Sequence, residues 1–231
     1  MLIQECDYQK VRDLKVGELS THWDFDAWNK PFSNGEPVQC HLKKIHDRLG
    51  CDLSRTNLVN FYGEADIHCV TKFIAAMVWG YGAPKGQRWD HRGPSRLKKM
   101  FTDYTVTKKI IDSIDVNGED NIKNSYQKMK KIKYLGPNFF TKHFYFLGKS
   151  QSLNPYPLIF DARVARGIMT SLLSNLKSST PVINFISFDP VKRPEAYLAY
   201  LRIASDEAKN IACDLENVEL FFFKAGKADL D

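Results

Sequence analysis

The chain has no C-x-x-C pair. Its five cysteines, Cys6, Cys40, Cys51, Cys69 and Cys213, are odd in number and widely scattered. That argues against a disulfide framework, offers no ready zinc or iron–sulfur site, and leaves them as reduced thiols. "QCHLKKIHDRLGC" gathers Cys40, His41, His46 and Cys51 within twelve residues, but the spacings match no common zinc pattern. No metal and no cofactor is expected. Long apolar runs are missing too: "FIAAMVWGYG" and "VELFFF" stop well short of the ~20 residues that a membrane span needs. The opening "MLIQECDYQK" lacks the long apolar stretch of a signal peptide, so a cytoplasmic protein with no membrane contact is expected. Repeats and low-complexity tracts are absent.

What is present suffices for a core. Hydrophobic residues make up 43% of the 231 and aromatics 13%, enough for one sizeable unit or two small lobes sharing a core. Formal net charge is +6 with a pI near 8.9, a balance that permits a polyanionic partner.

Periodicity predicts a mostly α chain. "ADIHCVTKFIAAMVWGYG" spaces Ile67, Val70, Ile74, Met77 and Val78 at helical steps and ends at Gly80 or Gly82. A basic loop follows, with Arg88, Arg92 and Arg96, then a second helix to about residue 103. "TVTKKIIDSIDVNG" reads as a short helix, and "DNIKNSYQKMKKIKYLG" as a further one closed at Gly136. Beyond a turn-rich linker, "DARVARGIMTSLLSNL" is a helix with Asp161 as candidate N-cap. "RPEAYLAYLRIASDEAKNIACDLENVELFFFKAGK" is one long helix or two. Strand signals are few, with 181–188 the best. The stretch "STHWDFDAWNKPFSNGEPVQC" reads as loop, and residues 1–60 are expected to form an N-terminal segment packed on a 61–231 helical domain.

The stretch "QKMKKIKYLGPNFFTK" carries the most chemistry. Lys128, Lys130, Lys131 and Lys133 lead into Gly136-Pro137-Asn138, where Gly and Asn tolerate positive φ. Such a hairpin presents backbone N–H groups to a phosphate; an ordinary helix C-cap with a solvated lysine face reads the same way. Lys142 is expected in the first turn of the next helix. There the dipole and any burial disfavour an ammonium, so a neutral, nucleophilic amine becomes accessible; a surface lysine snorkelling past Phe139 and Phe140 is the alternative. Nineteen residues on, "PLIFDARVARG" ends an apolar run in Asp161, either a cap alone or a carboxylate able to stabilise an oxocarbenium-like centre.

"LGPNFFTK" followed by Asp161 in "FDARVARG" resembles the helix-hairpin-helix DNA glycosylases, specifically those of the 8-oxoguanine glycosylase (OGG) fold. Their hairpin, of type L-P-G-V-G-T-K, ends in a catalytic lysine, and an aspartate follows about twenty residues later. Thr141-Lys142 matches the T-K and Asp161 the aspartate. "AAMVWGYGAPKGQR" and "YLRIASDEAKNIACDLENVELFFFKAG" look like the bacterial branch of the fold, so the resemblance covers roughly residues 60–227. Aligning the lysines puts Asn138 and Phe140 where the family hairpin has glycines. The four-cysteine iron–sulfur loop of some relatives is absent.

The resemblance implies two helical lobes around a cleft, with the helix-hairpin-helix at about 121–148. It implies a DNA glycosylase that extrudes a base and cleaves it from the sugar, with associated lyase activity. Lys142 would be the nucleophile and Asp161 the stabilising carboxylate. The partner is double-stranded DNA carrying an 8-oxoguanine-type lesion or a hypermodified phage base such as glucosylated hydroxymethylcytosine, the latter a phage-defence role; a monomer is expected. Gly136, Asn138, Lys133, Thr141, Arg163, Arg166 and Arg88 are candidate DNA contacts. Trp79, Tyr81 and Phe140 are candidates for the base pocket, with Trp23, Trp28 and Trp89 behind them; core packing is the plain reading for Trp79. The rivals are a non-catalytic helix-hairpin-helix DNA-binding module and a helical protein-binding adaptor.

Overall fold

The computed structural model describes residues 2–16, 19–83, 92–175 and 193–226. Arg88, Trp89 and the strand expected at 181–188 lie outside them. The described chain is mostly helical, and its only named strands form one short antiparallel pair.

Two compact units result, Gly17–Tyr156 and Met1–Val16 with Pro157–Asp231. In the larger unit, β1 (Ser20–His22) pairs with β2 (Asp52–Ser54), with α2 (Phe25–Asn29) and α3 (Pro37–Leu49) between them. There follow α4 (Arg55–Gly63), α5 (Cys69–Tyr81), α6 (Arg92–Met100), α7 (Tyr104–Asp112), α8 (Glu119–Met129) and α9 (Pro137–Ser150). Residues 20–40, read as loop from the sequence, therefore carry β1, α2 and the start of α3. In α3, Val38, Leu42 and Ile45 recur at steps of four and three and are buried, a stripe masked by the lysines and histidines between them. Pro37 opens that helix and Gly50 closes it at φ 68°. Ser54 and Asn57 form a reciprocal capping box on α4.

Helix α5 is the centre of this unit. From Val70 to Tyr81 every residue but Lys72 and Gly80 is buried, and the helix packs against α3, α4, α6, α7 and α9. A helix apolar on nearly all sides belongs inside a core.

The smaller unit holds α1 (Tyr8–Arg12), α10 (Ala162–Asn175), α11 (Pro194–Ile211) and α12 (Leu215–Ala225). The C-terminal helical stretch is thus two helices, separated at Ala212, which takes a left-handed backbone. Helices α10 and α12 cross at backbone contact: a Cβ on Gly167 would strike the Phe222 carbonyl, and one on Gly226 the Arg163 carbonyl. Tyr197 Oη donates to the Leu158 carbonyl at 2.8 Å, and Phe160 stacks on Tyr200. Both fix the segment that leads into α10.

Two histidines, His143 buried and His41 half-buried, tie the larger unit together. His143 of α9 is 2% exposed. The single hydroxyl proton of Tyr62 goes to the Lys72 carbonyl at 2.6 Å, so His143 Nδ1–H donates to Tyr62 Oη at 2.8 Å. His41 of α3 bridges Thr71 of α5 and Tyr104 of α7 at 2.7 and 2.8 Å. Burial, reinforced by Lys72, lowers the His143 pKa to about 3. Burial, with His68, Lys108 and Lys44, lowers that of His41 to about 4.

Both values lie below the ~6.5 of an unfolded histidine, so above that pH neither affects stability. Below it the unfolded chain binds protons that the folded chain refuses. Stability therefore falls as the pH drops from about 6.5, by up to about 1.4 kcal/mol per pH unit for His143 and by less for the partly solvated His41. Thermal unfolding followed by circular dichroism between pH 7.5 and 4.5 should show a falling Tm. In His143→Gln, which keeps a donor for Tyr62 without titrating, the decline should flatten. A wild-type Tm constant over this range would contradict the burial argument.

Candidate active site

Helix α8 ends at Met129, well before Gly136, and residues 130–135 form the connection to α9. Ile132 and Leu135 are buried, and Leu135 N–H donates to the Ile132 carbonyl at 3.3 Å. Lys131 and Lys133 stay exposed beside them. Gly136 is the N-cap of α9 with an extended backbone, φ −96° and ψ 160°, and Pro137 opens the helix. The positive φ expected at Gly136 or Asn138 falls instead on Tyr134, at 65°. The reason is local: Asn138 is already helical, so the chain must reverse before Gly136.

Counting from Pro137, Lys142 is the sixth residue of α9 and lies in its second turn, not the first. The field of a helix end fades within one turn, so the dipole acts only weakly on this amine. The residue is 8% exposed. Its Nζ donates to the Asn138 carbonyl one turn back and lies 5.2 Å from the centre of the Phe139 ring. Thr141 is fully buried, with Oγ1 donating to the Pro137 carbonyl at 2.8 Å.

The lysine stem runs over Gly80, in the last turn of α5. A Cβ there would lie 3.0 Å from Lys142 Cδ, 3.2 Å from its Cε and 3.1 Å from Phe139 Cδ1. Phe139 in turn stacks on Tyr81, with ring centroids 4.0 Å apart and planes 18° from parallel. Gly80, Tyr81, Phe139 and Lys142 thus form one cluster where α5 meets the start of α9.

Of the aromatic candidates, Tyr81 belongs to this cluster. Trp79 is 8% exposed, edge-on to Phe146 at 5.4 Å, with the Arg55 guanidinium 5.6 Å from its ring. Phe140 is fully buried against Tyr126 and Phe144, while Trp23 and Trp28 are fully buried near the strand pair. Core packing accounts for these three. Phe139, three residues before Lys142 and read from the sequence only as apolar surface beside it, not as a site residue, shares a face with it once α9 begins at Pro137.

Asp161 stands in the smaller unit, ahead of α10. Its Oδ1 accepts from the backbone N–H groups of Arg163 at 2.9 Å and Val164 at 3.0 Å, so the expected cap is present. Arg163 and Arg166 are exposed, the former with its guanidinium 5.2 Å from the Phe223 ring. Among the described residues no group of three or more His, Cys, Asp or Glu could hold a metal ion, and no helix is long and apolar enough to cross a membrane.

A buried lysine follows a lysine-flanked connection in a mostly helical chain. The chain belongs to the family described as "Putative 8-oxoguanine DNA glycosylase OGG-like protein", whose model matches residues 14–223. Its class of activity is therefore DNA glycosylase, and its partner DNA. Nothing matches among the curated proteins or the solved structures.

The Gly80 contact is testable. Gly80→Ala should leave the Tm near the wild-type value, because the helix propensity gained, about 1 kcal/mol, is offset where the added Cβ crowds the Phe139 ring, while the flexible lysine stem is displaced. Competitive amine labelling read by mass spectrometry should show a changed Lys142 rate against the other lysines. An unchanged rate would mean that Gly80 does not position Lys142.

Proposed function

We propose that this protein excises a damaged or modified base from double-stranded DNA, with Lys142 as nucleophile and Asp161 as the charge-stabilising carboxylate. The observation that carries the reading is a lysine amine buried directly behind the hairpin, at the position that matches the family's T-K. The target nucleotide is extruded from the duplex so that its anomeric carbon can be reached.

In its neutral form the amine attacks C1′. The N–C1′ bond forms as the bond from C1′ to the base breaks, and the departing base takes the electron pair and a proton. The neutral adduct then opens: the nitrogen lone pair forms the C1′=N bond as the C1′–O4′ bond breaks, and O4′ takes that electron pair and the remaining amine proton, giving a Schiff base. Elimination of the 3′-phosphate from that species is the accompanying lyase step, and hydrolysis releases the lysine. Asp161 supplies the negative charge that an oxocarbenium-like centre requires; its cap engages Oδ1, leaving Oδ2 for this role.

Exposed Lys133, Arg163 and Arg166, with Thr141 and the backbone at Gly136 and Asn138 where α9 begins, provide phosphate contacts, and Arg88 joins them on sequence grounds. Tyr81, stacked on Phe139 in the cluster that holds Lys142, is the aromatic candidate for the base pocket. The enzyme acts as a monomer in the cytoplasm, without metal or cofactor.

The base is either an 8-oxoguanine-type lesion or a bulky hypermodified pyrimidine of phage DNA, and the two carry equal weight. Release of free base from oxidised DNA and from hypermodified phage DNA, assayed side by side, separates them. Release from neither, with binding intact, would leave the non-catalytic DNA-binding module.

Borohydride should crosslink wild-type protein to its substrate DNA, and Lys142→Gln should abolish the crosslink; equal trapping by the variant would rule Lys142 out. Asparagine caps helices as well as aspartate does, so Asp161→Asn should keep its Tm while excision falls by ~100-fold or more. Full excision by that variant would reduce Asp161 to a cap.

A further inference from the structure

We infer that Tyr134 is a DNA contact whose ring stacks on a base or sugar of the bound strand. The inference rests on the DNA-glycosylase reading and extends it to a residue that the sequence did not single out. Tyr134 is 58% exposed and, with Val106, one of two large hydrophobic side chains so exposed among the described residues. It also occupies the third position of the turn that Leu135 N–H closes onto the Ile132 carbonyl, with φ at 65°. Glycine and asparagine suit that conformation, and a bulky aromatic does not.

The fold gains little from the ring. Ile132 and Leu135, on either side, hold the hairpin to the core, and a glycine would make the same turn with less strain. The ring's one described partner is Lys99 of α6, whose Nζ lies 5.4 Å from its centre. Lys131 and Lys133 are exposed in the same loop, and Lys98 and Lys99 are exposed at the end of α6.

An aromatic face presented among cations, on a strained turn next to a phosphate-binding hairpin, has the chemistry of a single-strand stacking platform. The lysines draw the backbone phosphates, and the ring meets the π-face of any base. Backbone strain of this kind persists where it serves a site.

The test measures binding of a fluorescent duplex carrying a tetrahydrofuran abasic analogue, over a salt series. Tyr134→Gly should hold or raise the Tm yet weaken binding by about five- to a hundredfold, the range of one base–aromatic stack. Its log Kd against log salt slope should stay at the wild-type value, because no charge is removed. Tyr134→Phe should bind like wild type. Should the glycine variant lose helix content, Tyr134→Asn, equally at ease in that backbone, provides the same comparison. Wild-type binding by both the glycine and asparagine variants would overturn the inference while leaving the glycosylase reading intact. A weaker complex with a shallower slope would assign the contact to the lysines and overturn it too. Wild-type protein that binds no DNA would sink both together.

Discussion

A lysine stem laid across the bare backbone of Gly80 is the constraint on which the candidate site depends. Burying an ammonium-bearing chain needs a channel for its methylenes and a partner for its head. Here the channel exists because α5 lacks a side chain at residue 80, and the head is met by the Asn138 carbonyl and the Phe139 ring. Next along the helix, His143 is locked to α4 and α5 through Tyr62 and the Lys72 carbonyl. Helix α9 is thereby fixed through two adjacent residues, and the direction of Lys142 follows from packing.

The hairpin reverses without a glycine at its positive-φ position. Neither Asn138 nor Phe140 requires an unusual backbone, because the chain enters α9 at Pro137. Reversal is completed earlier, at Tyr134, and the strain moves with it. Burial of Ile132 and Leu135 on either side keeps that turn in place.

The smaller unit solves a different problem. Asp161 must be held at a helix start, and that helix must be held in turn. Gly167 and Gly226 allow α10 and α12 to approach until backbone meets backbone, while Asn217 Nδ2 of α12 donates to the Val11 carbonyl at 2.9 Å. The N-terminal segment is thereby tied to the C-terminal helices. Contacts of this kind resist deformation, since an interior packed at such density has no slack.

The sequence by itself determined the helices at 69–81 and 162–175, a stop at Gly80 or Gly82, the cap at Asp161 and the family motif around Lys142, because periodicity, capping chemistry and short motifs are local. It missed the helices between residues 25 and 49, where lysines and histidines interrupt a narrow apolar stripe, and it could not choose between one and two C-terminal helices. Only the tertiary structure decided that Lys142 lies in a second turn beneath Gly80, that Phe139 rather than Phe140 stands beside it, and that the positive φ falls on Tyr134. Each depends on the phase of one helix against another, and that phase is set by packing across many residues of sequence separation.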